Sequence, residues 1–83
     1  MAGRKAKKPT PRGLYLRRVL ARNVRRLRNA RHMNQEELAD AADLSQSQVS
    51  QVETAKHNIR IDVLQRLASA LGARLADLLD ETK

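Results

Sequence analysis

The sequence predicts an all-α fold, a compact domain of five helices, and three observations carry that prediction. Leucines, valines and alanines recur three and four residues apart in separate blocks, the spacing that lines one face of a helix. Residues suited to helix ends, Asn34, Ser45 and Gly72, stand at the edges of those blocks. Between Gln35 and Glu53 two short helical patterns meet at a tight turn.

Residues 1–13 hold Arg4, Lys5, Lys7, Lys8 and Arg12 among Gly, Ala and two prolines, with no periodic apolar residues to offset the entropy of ordering. They are expected to form a disordered basic arm that lies along phosphates or enters a minor groove. A solubilising tail, or in part a cloning remnant, fits the same composition. The helical domain is expected over residues 14–80, with a short tail at 81–83. Its first helix runs from Leu14 to about Arg31, because Leu16, Leu20, Val24 and Leu27 recur at intervals of four, four and three. Its other faces carry Arg17, Arg18, Arg22, Arg25 and Arg26, a basic lead that either crosses a DNA backbone or is a solvated surface.

The second helix, from Gln35 to Ala42, places Leu38, Ala39 and Ala42 on one stripe, with Asn34 as N-cap and acids in the first turn. Asp43, Leu44 and Ser45 interrupt it. Asp tolerates a left-handed backbone, Leu44 can plug the core beneath the corner, and Ser45 caps a third helix that begins at Gln46. There Val49 and Val52 point inward while Gln46, Ser47, Gln48, Ser50 and Gln51 stay polar. A fourth helix is built on Val63, Leu64, Leu67, Ala68 and Leu71, lacks a good capping side chain at its start and is stopped by Gly72. A short fifth helix, about Leu75 to Asp80, carries Leu75, Leu78 and Leu79, more apolar surface than so brief an element needs.

The exposed face of the third helix is rich in amides and hydroxyls and has no charge, whereas a merely solvated face is better served by Lys and Glu. Gln bonds adenine in bidentate fashion and Ser pairs with several base edges, so Gln46, Ser47, Gln48 and Gln51 are the candidate base readers. The plain alternative is a neutral surface. Asn34 and Gln35 stand at a helix N-terminus, whose free N–H groups suit a phosphate.

Arg25-Arg26-Leu27-Arg28, Asn34-Gln35-Glu36-Glu37-Leu38-Ala39, Leu44-Ser45-Gln46, Val49-Ser50-Gln51-Val52-Glu53 and Leu67-Ala68-Ser69-Ala70-Leu71-Gly72 carry a resemblance. Residues Val24 to Leu79 resemble the helix-turn-helix domain of the phage lambda and 434 repressor, Cro and XRE family. Asn58-Ile59-Arg60-Ile61 is most similar to the controller proteins of restriction-modification systems.

The resemblance implies that Gln46, Ser47 and Gln51 approach bases with Gln48 beside them, and that Gln35 bonds a phosphate and braces Gln46. It makes Thr54, Lys56 and Asn58 a second phosphate clamp. It also pairs Arg28 with Glu53 as a structural ion pair, the alternative being two exposed charges whose pairing contributes only ~0 to 1 kcal/mol. The region of Leu75, Leu78 and Leu79 is implied to join two copies, unless all three complete the monomer core. His32, Asp43 and Ala55 stand where the family has glycines. Ala adopts a left-handed backbone poorly, so the chain near Ala55 is expected to leave its helix differently and to move Lys56.

Eighty-three residues make one small domain, large enough to fold without staples, which become usual below about 40 residues. With no cysteine there is neither disulfide nor thiolate chemistry. No apolar run approaches the roughly 20 residues that span a bilayer, so no membrane partner and a cytoplasmic location are expected. The Arg-rich, acid-free start also fits an organelle-targeting segment, against the prokaryotic or phage character of the resemblance. Residues 1–33 hold twelve Lys or Arg and no acid, whereas residues 34–83 hold five bases and nine acids, which locates the electrostatic footprint in the first third of the chain.

Catalysis has no foothold. His32 and His57 are isolated, no glycine-rich phosphate loop or metal-spaced cluster occurs, and helix-dipole complementation explains Glu36, Glu37 and Asp40. Neither a cofactor nor a metal is expected. The expected protein is a sequence-specific transcriptional regulator, a homodimer on a two-fold double-stranded DNA operator with half-sites ~34 Å apart. RNA polymerase is its further partner, blocked in repression or touched in activation. Two other readings fit the same residues: an antitoxin-like module whose basic arm holds an acidic protein, and a nonspecific nucleic-acid binder driven by the arm and first helix.

Overall fold

A computed structural model describes residues 8–83 and builds five helices: α1 (Pro11–Ala30), α2 (Gln35–Ala42), α3 (Gln46–Glu53), α4 (Ile61–Ala70) and α5 (Leu75–Leu78). Arg4, Lys5 and Lys7 of the expected arm lie outside the described residues. Among those residues no helix is long and apolar enough to cross a membrane.

α1 starts at Pro11, three residues ahead of Leu14. The cause is a Thr-Pro start signal: Thr10 Oγ1 accepts from Gly13 N at 2.9 Å, and Pro11 occupies the first turn, where its missing N–H has no partner to lose. Arg12 is therefore a residue of the first helical turn rather than of a disordered arm. Its guanidinium lies 2.5 Å from Glu81 Oε2 and 5.3 Å from the centre of the Tyr15 ring.

Each helix contributes at least one apolar side chain with no exposed surface, among them Val24, Leu38, Val49, Leu67 and Leu78. Packing closes into a ring in which α1 meets α3, α3 meets α2, α2 meets α4, α4 meets α5, and α5 returns to α1. Leu27, Met33, Leu44 and Ile59 fill its corners. Leu78 is thus part of the monomer core, which corrects its assignment to a dimer surface. α5 is also shorter than expected, ending at Leu78 rather than Asp80. Buried Asn23 explains the early stop, since its Nδ2 donates to Leu78 O and to Asp80 O at 2.9 Å each.

Capping boxes close the starts of α2 and α3. Asn34 Oδ1 accepts from Glu37 N at 2.7 Å and Ser45 Oγ from Gln48 N at 3.1 Å, with the reciprocal bonds also made. Four turns use a left-handed residue: His32, Asp43, Ala55 and Gly72, with φ of 57°, 55°, 62° and 66°. The three residues that replace the family's glycines therefore keep the glycine conformation, and the expected altered exit at Ala55 does not occur. Thr54 N and Ala55 N still bond Ser50 O and Val52 O, and Ile59 packs on the core just beyond, so tertiary contacts impose the turn on an unsuitable residue.

Ala55→Gly should relieve about 1–2 kcal/mol of left-handed strain against roughly 0.4–1 kcal/mol of added unfolded-state entropy. The urea midpoint should rise, and a fall would contradict a strained Ala55. Leu78→Ala should remove the ~2–5 kcal/mol of stability typical of core truncations and lower the same midpoint far more than Leu79→Ala. Equal, small effects at the two leucines would return Leu78 to the surface.

Candidate nucleic-acid interface

At α3 the site is easiest to read. Helical spacing puts Gln46, Ser47, Ser50 and Gln51 on one contiguous face opposite buried Val49 and Val52. Gln46, Ser47 and Gln51 are exposed, while Ser50 is half-buried. Gln48 is half-buried too, and its Oε1 is committed to Ser45 N at 2.9 Å, which leaves its amide nitrogen as a donor.

One buried carboxylate fixes the pose of this helix. The Glu53 side chain is 4% exposed and receives Arg28 in bidentate fashion, Nε to Oε2 at 2.7 Å and Nη2 to Oε1 at 3.0 Å. The hydrogen bond to Glu53 raises the Arg28 pKa above its ordinary value; burial opposes the shift and charge attraction adds to it. Arg28 Nη1 also donates to Met33 O at 2.8 Å, clamping the α1–α2 turn. Gln35 Nε2 donates to Glu53 Oε1 at 3.1 Å. Gln35 therefore braces Glu53 rather than Gln46, because a carboxylate is the stronger acceptor. Its main-chain N–H remains at the start of α2.

The other expected phosphate contacts vary in availability. Asn34 spends its side-chain oxygen on the cap of α2. Thr54 Oγ1 donates to Gln51 O at 3.2 Å, whereas Lys56 and Asn58 stand exposed in the loop that follows. Lys8 lies just ahead of α1, at the far end of that helix from Glu53. Leu79 is exposed and Leu75 partly so; Ile61, at 70% exposure, is an apolar surface residue that periodicity alone did not single out.

Sequence reasoning missed a set of donors on α1. Arg25 Nη1 reaches Glu53 O at 2.5 Å, Arg31 Nε reaches Leu71 O at 2.7 Å, and Asn23 reaches Leu78 O. α1 and its C-cap residue Arg31 thereby supply hydrogen bonds to the C-terminal carbonyls of α3, α4 and α5, groups that have no partner within their own helices. A basic stripe in a sequence does not disclose which carbonyl each arginine will meet.

A short capped helix, a left-handed turn and a second short helix with an uncharged polar face, both locked to a third helix, define a helix-turn-helix DNA-binding domain. Residues 24–78 match the helix-turn-helix family HTH_3, and the chain belongs to that family of DNA-binding transcription regulators, which are not enzymes. It is 34% identical over 68 residues to control protein C.BamHI of Bacillus amyloliquefaciens, covering 81% of this chain and 84% of that protein. To control protein C.SmaI of Serratia marcescens it is 34% identical over 64 residues, 77% of this chain and 76% of the other.

Solved structures agree. The hypothetical transcription factor NHTF from Neisseria superposes with a TM-score of 0.76 at 37% identity, over 92% of this chain and 85% of that one. The restriction-modification controller protein C.AhdI from Aeromonas hydrophila gives 0.71 at 31% identity, over 75% and 94%.

Removing one partner of the buried pair should be costly, ~3–5 kcal/mol, because it strands the other charge. A double-mutant cycle in urea on Arg28→Ala, Glu53→Ala and the double variant should show the double costing well under the sum of the singles. Additive losses would mean that the two side chains do not depend on each other.

Proposed function

We propose that this regulator binds a two-fold DNA operator as a homodimer and reads it with α3. The observation that carries the reading is the exposed, uncharged face of Gln46, Ser47 and Gln51 on a helix whose far end is pinned by Glu53. Amides held in one place form bidentate contacts to adenine at little entropic cost, and Gln48 adds a donor at the edge of the face.

Phosphates flank that face on both sides. The main-chain N–H groups after Asn34, at Gln35, point from the start of α2, and Thr54, Lys56 and Asn58 follow α3. The basic residues ahead of α1, Arg4, Lys5, Lys7 and Lys8, add nonspecific attraction that falls with salt. Arg12 joins them by exchanging Glu81 for a phosphate, an exchange of one exposed ion pair for another. Leu79, the exposed part of Leu75 and Ile61 supply apolar surface for the second copy, while Leu78 supports them from within the core. The bound dimer acts on transcription by blocking or touching RNA polymerase.

Gln46→Ala and Gln51→Ala test base reading. Each should lower preference at particular base pairs by ~1 to 3 kcal/mol per lost bidentate contact, measured by competition among single-base operator variants. An equal loss on every sequence would refute it.

A further inference from the structure

The family model matches from residue 24, so the stretch of α1 from Pro11 to Asn23 lies ahead of the segment that the model covers. Its arginines divide: Arg12 pairs with Glu81 and Arg22 donates to Glu81 O, whereas Arg17 meets neither. Arg25, Arg28 and Arg31 are engaged with main-chain carbonyls or with Glu53. Among the described residues neither Lys8 nor Arg17 pairs with an acid.

Lys8 and Arg17 line one groove of about 500 Å³ between the start of α1 and the loop that follows α3. Leu16 of α1 and Ile59 of the loop give it apolar walls, Asn58 contributes an amide, and no carboxylate lines it.

Resting on the reading of α3 as an operator-binding helix, the geometry points to a phosphodiester site: this groove takes the DNA backbone flanking each half-site. Lys8 and Arg17 meet the phosphate oxygens, Asn58 donates to the same strand, and the apolar walls lie against deoxyribose carbons. Asn58 decides between DNA and an acidic peptide as occupant. It stands in the loop proposed to clamp phosphate beside α3, so a backbone held at that loop continues into the groove without a second binding event. The long first helix thus lengthens the footprint without adding base contacts.

The test compares two duplexes carrying the preferred operator. One ends at the half-site edges and the other has a helical turn of arbitrary sequence on each side. For the full-length protein, the slope of log K against log salt should be steeper on the longer duplex. Arg17→Gln should reduce that slope by ~0.9 per protomer on the longer duplex and leave the shorter unchanged. Lys8→Gln, placed ahead of the helix where folding does not depend on it, should do the same, and Arg17→Lys should preserve the slope.

An identical change on both duplexes, or none on either, overturns the site. So does an unchanged slope accompanied by lost binding of polyglutamate, which would make the groove a peptide site. Gln46→Ala should alter base preference and keep the flank dependence, so failure of the groove and failure of α3 as reader are told apart.

Discussion

Glu53 holds a negative charge nearly out of water at the C-terminal end of α3, where the helix dipole is itself negative. Alone, a carboxylate in that position would cost several kcal/mol and would shed its charge or unfold its surroundings. Arg28 makes it tolerable by a two-pronged contact from α1, Gln35 completes the shell from α2, and Arg25 covers the main-chain oxygen of the same residue. Three helices converge on one side chain, so the angle between α2 and α3 is fixed by charge geometry as well as by apolar packing. Valines and leucines alone would leave α3 freer to roll about its axis, because apolar packing is not directional.

α1 extends this logic to the rest of the domain. Short helices carry a large share of end groups, and α2, α3 and α5 are all shorter than three turns. Starts are closed locally by Asn34 and Ser45, within their own sequence neighbourhood. The carbonyl ends of α3, α4 and α5 are met from a distance, by Arg25, Arg31 and Asn23. The basic excess of the first third of the chain is therefore divided. Its later arginines hold the fold, while Lys8 and Arg17 pair with no acid among the described residues.

Much of this was legible in the sequence where the cause is local. Periodicity placed all five helices, and Asn34, Ser45 and Gly72 marked their edges because a cap acts within three or four residues. Thr10-Pro11 is an equally local start signal, overlooked because the composition around it reads as disorder. At Ala55 propensity pointed the wrong way: an unfavourable φ persists when packing on both sides fixes the turn. Leu78 and Leu79 illustrate a different limit, since in a one-turn helix two adjacent leucines cannot both face inward, and only the ring of packed helices decides which does. The partners of Arg25, Asn23 and Gln35 lie far along the chain, and no spacing within one helix predicts them.

α3 as the reader of a two-fold site is tested most directly by selection. The full-length protein would be presented with random duplex DNA near physiological ionic strength, about 0.15 M, with excess unrelated DNA as competitor, and the retained duplexes sequenced. Enrichment of a symmetric motif whose halves lie about one helical turn apart is the expected result. Salt-sensitive retention of DNA with no enriched motif would contradict it and leave the basic lead, rather than α3, as the source of binding.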